Sequence, residues 1–483
     1  MSRLFGTDGV RGVANRDLTP ELAYRLGRAT ASLLTETVER APVIIGRDTR
    51  LSGSMLEAAI VAGITSVGRD TISLGIVPTP AVACVTKRTA AAAGVVISAS
   101  HNPIEDNGIK LFGSDGFKFA DAFEDEIEEL IDATDLPRPI GAGVGKARVA
   151  QNLARHYYEE LYAEGVDLTG LTAIVDAACG AAYAIAPYAL RKLGATVIEI
   201  NCEDEGARIN VGGGATDLRP LQAAVRAKIA EGERHVVGVA FDGDADRALF
   251  VDETGMVVSG DHVMFALACD LHERGELPGD AVVATVMSNI GFERALQHHE
   301  IELVRAAVGD RYVLEKMREG NYALGGEQSG HVVDFRYNTT GDGPRTAVTL
   351  LSLMVARGAS LHDLVCEIVV APQVLLNVRT NRRDVLESNA VRDEIAAAQA
   401  KLAGTGRLLI RPSGTEPLIR VMTEGDDRSI IEAVAARVAG RIEQEAERLA
   451  KSEISSGQRD GAGRARQRDA EAPAHQGSHE GPI

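Results

Sequence analysis

The chain has 483 residues, 45% hydrophobic and 25% charged, enough for several buried cores, and wholesale disorder is excluded. Its 69 acidic and 51 basic side chains leave a formal charge of −18, which excludes a broad nucleic-acid surface. The absence of tryptophan and only 4% aromatics exclude an aromatic stacking platform for bases or sugars. The five cysteines (Cys84, Cys179, Cys202, Cys269, Cys366) show no C-x-x-C spacing, so neither a disulfide framework nor a zinc site is expected. The basic set is 9 Lys and 42 Arg, a bias that suits a high-salt cytoplasm and a GC-rich genome equally. No apolar run approaches a membrane span, and MSRLFGTDGVRG lacks the apolar stretch of a secretory signal, so a soluble, cytoplasmic protein is expected.

In chain order, short β-branched runs alternate with alanine-rich stretches of helical period. PVIIGRD predicts a strand, residues 54–67 a helix, TISLGIV a strand, PAVACVTKR a helix and GVVISAS a strand. LTAIVDA, ATVIEIN, VVGVAFD, AVVATVM and IELVRAA continue the series, each separated by a helical segment. Such alternation predicts an α/β fold with mostly parallel sheets in three similar modules, residues 1–145, 146–250 and 251–370. After APQV the pattern changes to QVLLNVRT, a helix over 390–403, RLLIRPSGTEPLIRVM and a closing helix to about 450, a smaller α+β module. Residues 451–483 follow no period and are expected to be a disordered tail.

Four segments carry chemistry. ISASHNPIEDNGIK follows a strand, where open parallel sheets bind ligands, which places Ser98, Ser100, His101 and Lys110 well for a nucleophilic hydroxyl and its partners. Read alone, Asn102-Pro103 and Asp106-Asn107-Gly108 favour a plain turn. FDGDADR puts Asp242, Asp244 and Asp246 at alternate positions after a strand; three carboxylates that close call for a hard cation, Mg²⁺, Mn²⁺ or Ca²⁺. An EF-hand is excluded because Arg247 occupies the position that loop gives to glycine. A solvated acidic turn is the remaining alternative. LGGEQSGHV offers Glu327, Gln328, Ser329 and His331 on a flexible loop, as polyhydroxyl recognition requires, although any glycine-rich turn looks similar. In RPSGTEPLIRVM, Arg411 supplies a fork, Ser413 and Thr415 hydroxyls, and Gly414 close backbone approach, the parts of a phosphate cradle or of a turn with a surface arginine. No Walker A sequence occurs; GVGKAR lacks its spacing. These parts lie in four modules and make chemical sense together only if the modules close around one central cleft. Arg11, Lys110, Arg247, Arg311, Arg411 and Arg420 lie in or beside glycine-rich segments and would concentrate positive charge there.

In this order FGTDGVRG, GRDTRLSG, SASHNP with DNGIK, FDGDADR, GDRYV, GGEQSGH, TTGDG and RPSGTEPLIRVM resemble the α-D-phosphohexomutase superfamily, most closely its phosphoglucosamine mutase branch, over residues 3 to 445. The resemblance implies four domains around a cleft, a phosphorylated Ser100, and one Mg²⁺ held by that phosphoserine with Asp242, Asp244 and Asp246. It implies interconversion of glucosamine 6-phosphate and glucosamine 1-phosphate through a hexosamine 1,6-bisphosphate intermediate and activator, supplying UDP-N-acetylglucosamine synthesis. Phosphomannomutase/phosphoglucomutase activity is the alternative within the superfamily. Arg11, Lys110 and His331 match positions near the reacting phosphoryl group or the sugar. Arg247 would orient groups in the cleft, Glu327 and Ser329 contact sugar hydroxyls, and Arg411, Ser413, Gly414 and Thr415 hold the phosphate that is not reacting. Glutamine at 328 resembles the glucosamine branch, and Ala245 stands where many members carry glycine. Small sugar phosphates are the expected partners, with no nucleic acid or membrane, for a monomer or homodimer.

Overall fold

In the computed structural model, residues 3–6, 8–34, 41–163, 165–413 and 417–468 are described, with side chains to Lys451. Each β-branched run becomes a strand, and the strands at the centre of each sheet are apolar at nearly every position because both faces are covered. The first part comprises β1 (Val10–Val13), α1 (Pro20–Leu34), β2 (Val43–Arg47), α2 (Gly53–Ser66), β3 (Thr71–Ile76), α3 (Thr79–Arg88), β4 (Ala93–Ile97), β5 (Asp106–Gly113), α4 (Asp121–Leu130) and β6 (Ala147–Val149). These six strands form one sheet in the order β1-β5-β4-β2-β3-β6. Next come α5 (Arg155–Ala163), β7 (Thr172–Asp176), α6 (Ile185–Lys192), β8 (Thr196–Ile200), α7 (Arg219–Ala230), β9 (Val236–Phe241), β10 (Ala248–Val251) and β11 (Val257–Val258), whose sheet runs β11-β10-β9-β7-β8. The third part is α8 (Gly260–Glu273), β12 (Ala281–Thr285), α9 (Ile290–His298), β13 (Glu302–Ala306), α10 (Asp310–Gly320), β14 (Leu324–Gly326), β15 (Val332–Asp334), α11 (Gly343–Arg357) and α12 (Leu361–Val365), with sheet order β13-β12-β14-β15.

The expected parallel pairing holds in the centre of each sheet, where β2 pairs with β3 and β4, β7 with β8 and β9, and β12 with β13 and β14. Each sheet also has an antiparallel flank, so the sheets are mixed: β4 with β5, β9 with β10, β14 with β15. This corrects the reading of Asp106-Asn107-Gly108 as a turn. Those residues begin β5, and Lys110 stands in mid-strand, because pairing with β1 and β4 outweighs local turn preference. One apolar cluster containing Leu171, Phe241, Phe265 and Leu351 runs through the second and third parts and joins them.

The chain divides into two compact units, Met1–Val369 and Val370–Ile483. The second contains β16 (Gln373–Arg379), α13 (Asn389–Leu402), β17 (Gly406–Pro412), β18 (Leu418–Gly425) and α14 (Arg428–Arg468), with an antiparallel sheet in the order β16-β18-β17 and its own core around Val421, Val434 and Val438. The closing helix runs past the expected end near 450 to Arg468, so 451–468 are helical rather than without regular structure. An established helix extends without a new nucleus, and no proline lies between Pro417 and Pro473. The rest of the expected tail, 469–483, lies outside the described residues. Among the described residues, no helix is long and apolar enough to cross a membrane.

Candidate active site

Three of the four chemical segments occupy the same topological place, the hairpin where a sheet passes from parallel to antiparallel pairing. Residues 98–105 join β4 to β5, 242–247 join β9 to β10, and 327–331 join β14 to β15. A hairpin at the carboxyl end of a parallel core projects its polar side chains beyond the sheet, where ligands of such folds bind.

In the first hairpin Ser100 adopts a left-handed backbone (φ 54°) and is 1% exposed. Its Oγ donates to Asp242 Oδ2 at 2.6 Å, across 142 positions of sequence, and lies 3.3 Å from His101 Nδ1. Gly243 lets the second hairpin come this close, since a Cβ there would meet the Ser100 carbonyl oxygen at 2.5 Å. Burial, then Arg247 and Arg11, push His101 down to about 4, so its ring is neutral near pH 7. Ser98, the other serine of the segment, is tied elsewhere: its Oγ donates to Asp48 Oδ2 at 2.5 Å and accepts from the Ser100 backbone N–H at 2.9 Å.

Asp242, Asp244 and Asp246 are at most 5% exposed, and each offers an oxygen within 4.8 Å of the others. The Oδ1 atoms of all three are buried without a hydrogen-bond partner. Burial, then the charges of Asp246 and Asp244, push Asp242 up to about 8. Burial opposes the charge on Asp246 too, but Lys110, His331 and Arg247 hold it well below the usual carboxylate range. Three buried carboxylates with orphaned oxygens form a group that fits a hard cation, and the solvated acidic turn is excluded by their burial. Ala245 sits among them at φ 56°, so the left-handed turn is made here by alanine instead of glycine.

Cations surround this cluster. Lys110 Nζ, 1% exposed, lies 2.8 Å from Asp244 Oδ2, 3.0 Å from Asp8 Oδ2 and 3.6 Å from Asp246 Oδ2. Burial lowers its proton affinity, but Asp244 and Asp8 outweigh that and keep it charged. Arg247 Nε stands 3.6 Å from Asp246 and 4.0 Å from Asp242. Arg11, on β1, pairs with Asp8 and donates to Asn102 Oδ1 at 3.3 Å. His331 Nδ1 is 3.5 Å from Asp246 Oδ2, and its Nε2 accepts from the Gly341 backbone N–H at 3.2 Å. Burial works against its imidazolium, yet Asp246 and Asp310 raise its affinity for a proton.

The structure also shows groups to which sequence reasoning assigned no chemistry. Lys118 pairs with both Asp8 and Asp310, so Lys110, Asp8, Lys118 and Asp310 form a chain of alternating charge, which ends at His331, whose Nε2 lies 3.8 Å from Asp310 Oδ2. Thr79, the first residue of α3, holds Asp244 Oδ2 with its hydroxyl at 2.6 Å. Asp8, Asp48, Arg50 and Asp310 sat inside quoted motifs; for Lys118 the only signal was the scarcity of lysine.

The third hairpin is held by Glu327, whose Oε1 accepts from the Gly309 N–H and whose Oε2 accepts from Ser329 Oγ, both at 3.2 Å. Gly330 (φ 93°) presses on the Ala248 carbonyl, which a Cβ would meet at 2.4 Å. Arg311 does not join the cationic group around the carboxylates: on α10 it pairs with Asp121 and Glu124. In the second unit, Arg411 and Arg420 stand opposite each other on β17 and β18, and burial, then Arg420, lowers the proton affinity of Arg411. Ser413, 4% exposed, follows β17, its carbonyl accepting from Arg383 at 2.9 Å. Gly414 and Thr415 lie outside the described residues.

A hydroxyl buried against a cation-binding carboxylate group, with Lys110 and Arg247 fixed beside the same carboxylates, fits a phosphotransferase built on α/β modules. The family models for phosphoglucomutase/phosphomannomutase match most of the chain: α/β/α domain I at residues 2–138, domain II at 155–255, domain III at 259–370 and the C-terminal domain at 375–441. The chain therefore belongs to the phosphoglucomutase/phosphomannomutase family, within the α-D-phosphohexomutase superfamily, and is a phosphohexomutase of the isomerase class. Among its relatives, the phosphoglucosamine mutase of Symbiobacterium thermophilum is 51% identical over 92% of this chain and 100% of its own. That of Thermoanaerobacter sp. strain X514 is 50% identical over 92% and 99%. A phosphoglucomutase/phosphomannomutase family protein from Burkholderia thailandensis shares the fold, with a TM-score of 0.78 at 24% identity over 92% of this chain and 98% of the other.

Proposed function

We propose that this chain interconverts glucosamine 6-phosphate and glucosamine 1-phosphate through a phosphorylated Ser100. The hydrogen bond from Ser100 Oγ to Asp242 carries the reading, because it sets a nucleophile at the edge of the cation-binding group. The phosphoglucosamine mutases at about half identity, and Gln328 in the sugar hairpin, support the substrate. The Oγ–P bond of phosphoserine breaks as a sugar hydroxyl oxygen bonds to phosphorus, and the hydroxyl proton passes to a base of the site. The product is a hexosamine 1,6-bisphosphate, which turns over. Its other phosphoryl group then returns to Ser100 Oγ, and the freed sugar oxygen recovers a proton. His331 suits the proton transfers; Lys110 and Arg11 stabilise charge on the moving group; Arg247 fixes Asp242 and Asp246. Glu327 and Ser329 contact sugar hydroxyls, and Arg411, Ser413, Gly414 and Thr415 hold the phosphate that is not reacting. Asp242, Asp244, Asp246 and the phosphoserine would hold one Mg²⁺, which when bound neutralises charge on the transferred group. The four-domain division 1–145, 146–250, 251–370 and 371–450 is part of this reading, with its first two limits moved past β6 (Ala147–Val149) and β11 (Val257–Val258), which pair in the preceding sheets, as are action in the cytoplasm and a monomer or homodimer.

Ser100→Ala should abolish mutase activity and leave the thermal transition unchanged; full activity would overturn the assignment. A coupled assay with Mg²⁺ and a trace of hexose 1,6-bisphosphate should show at least about tenfold higher kcat/KM, or about 1.4 kcal/mol, for glucosamine 1-phosphate than for the mannose or glucose esters. Equal turnover would move the chain to the phosphomannomutase/phosphoglucomutase reading, and phosphate release without isomerisation to a phosphatase. Mg²⁺ at about 100 times its Kd should stabilise the wild type by about 2.7 kcal/mol, read as a rise in Tm. Asp244→Ala should lose both that rise and the activity. A wild-type Mg²⁺ response in the variant would rule out Asp244 as a ligand.

A further inference from the structure

Ser100 owes its geometry to one side chain outside the reacting groups. Arg50, which follows β2, is buried, its side chain 0% exposed, and a guanidinium has five N–H donors. All five are used. Nε donates to Asp48 Oδ2 at 3.0 Å; one terminal nitrogen donates to the carbonyls of Pro103 and of Asp106, the latter at 2.9 Å; the other donates to the carbonyls of Ser100 at 2.9 Å and Asn102 at 2.7 Å. Three carbonyls of the hairpin and that of Asp106, the first residue of β5, thus converge on one cation. Asp48 completes the arrangement: it accepts from Ser98 Oγ, which in turn accepts the Ser100 backbone N–H. The backbone on both sides of the Ser100 Cα is therefore held, its N–H by Ser98 and its carbonyl by Arg50 and by Asn210 Nδ2 at 2.8 Å. Such restraint is what keeps a non-glycine residue at φ 54°.

We propose that Arg50, acting through Asp48 and Ser98, is a positioning residue for phosphoryl transfer at Ser100. This rests on the mutase reading above. The hairpin is 98–105; without the clamp the Ser100 and Asn102 carbonyls would keep only Asn210 Nδ2 and the Pro103 carbonyl only the Asp106 N–H, so the hairpin would be freer to reorient and carry Oγ away from Asp242. A misplacement of about 1 Å is enough to cost about 100-fold in rate. Lysine keeps the charge but concentrates its donors on one nitrogen, so it cannot span four carbonyls and a carboxylate at once.

The test uses the full chain with Mg²⁺ and phosphorylated Ser100, comparing wild type with Arg50→Lys, Ser98→Ala and Ile60→Val. Ile60 is buried in α2, away from the hairpin, and its trimming reports what a general loss of stability does. Ser98→Ala should lower kcat about tenfold, and Arg50→Lys about 100-fold, with KM for the sugar phosphate within about twofold of wild type. Free phosphate released per isomerisation should rise in both, because a misplaced phosphoryl group admits water. Ile60→Val should lower Tm and keep kcat. Arg50→Lys that fails to fold leaves the decision to Ser98→Ala, which removes one oxygen. A lowered Tm with wild-type kcat in Ser98→Ala would overturn the proposal, as would an effect confined to KM. If the wild type isomerises no hexose phosphate, it is the mutase reading that fails. Hydrogen exchange over residues 98–107 then decides the clamp: it should quicken in Ser98→Ala, and unchanged protection would overturn it.

Discussion

At the scale of residues, the molecule handles burial of charge in two ways. Lys110, buried, and Lys118, largely buried, lie between carboxylates that keep them charged, whereas the Oδ1 atoms of Asp242, Asp244 and Asp246 are left without a hydrogen-bond partner and suit a ligand. The cysteines show what burial does with no opposing charge strong enough to resist it. It pushes Cys84 up to about 11 and Cys202 and Cys269 to about 12, and it raises Cys179 as well; Cys366 is exposed. The thiolate is the reactive form, and a raised thiol pKa means it appears only as pH climbs toward the raised value. Alkylation at pH 8 should therefore modify Cys366 alone within minutes, and the other four only in denaturant. Cys202 and Cys269 should begin to react without denaturant only as pH nears 12. Rapid labelling of four or five thiols at pH 8 would contradict this.

At the scale of elements, the repeated device is the hairpin at the rim of a parallel core, and each hairpin depends on a neighbour for its conformation. The 338–342 segment, which joins β15 to α11, also depends on a neighbour for its conformation, and its TTGDG motif serves packing at least as much as chemistry. Asp342 caps α11 by accepting from the Arg345 N–H at 2.9 Å, and also accepts from Tyr157 Oη of α5 at 2.6 Å and from Asn338 at 2.9 Å. Losing a cap is worth about 1 kcal/mol. Leaving a buried hydroxyl unpaired adds about 1–3 kcal/mol. Asp342→Ala should thus destabilise the protein by about 3 kcal/mol in denaturant titration. Ser360→Ala, which removes only the cap of α12, should lose about 1 kcal/mol. Equal effects would mean that the bond to Tyr157 adds nothing.

For the whole molecule, the division at Val369 and Val370 separates two cores of different construction, mixed sheets between helices in the first and one antiparallel sheet under two helices in the second. Each unit buries its own apolar surface, so residues 1–369 and 370–468, made separately, should both unfold cooperatively by circular dichroism. All three carboxylates belong to the first unit, whose Tm should rise with Mg²⁺ in the absence of the second. A non-cooperative melt of either piece would show that it borrows its core from the other.

Strand and helix succession was legible in the sequence, since parallel strands covered on both faces write themselves as unbroken apolar runs: VVGVAF is β9, and PAVACVTKR lies within α3. Of the chemistry-bearing segments, the carboxylates two apart after β9 were legible as a cation-binding group, whereas the serine segment and the glycine-rich loop read equally well as turns. Antiparallel flanks were not legible, since the Asp106-Asn107-Gly108 run has turn chemistry that only its pairing with β1 and β4 overrides. Composition and spacing did not separate Ser98 from Ser100, and only the family resemblance singled out Ser100; in the fold the two differ in partner, one hydroxyl facing Asp48 and the other Asp242. Lys118 gave no motif signal, and Asp310 and Arg50, though inside quoted motifs, received no role, for the same physical reason. Their roles depend on groups as far as 192 positions away along the chain, and such electrostatic and hydrogen-bonding partnerships exist only once the fold has brought them within bonding distance.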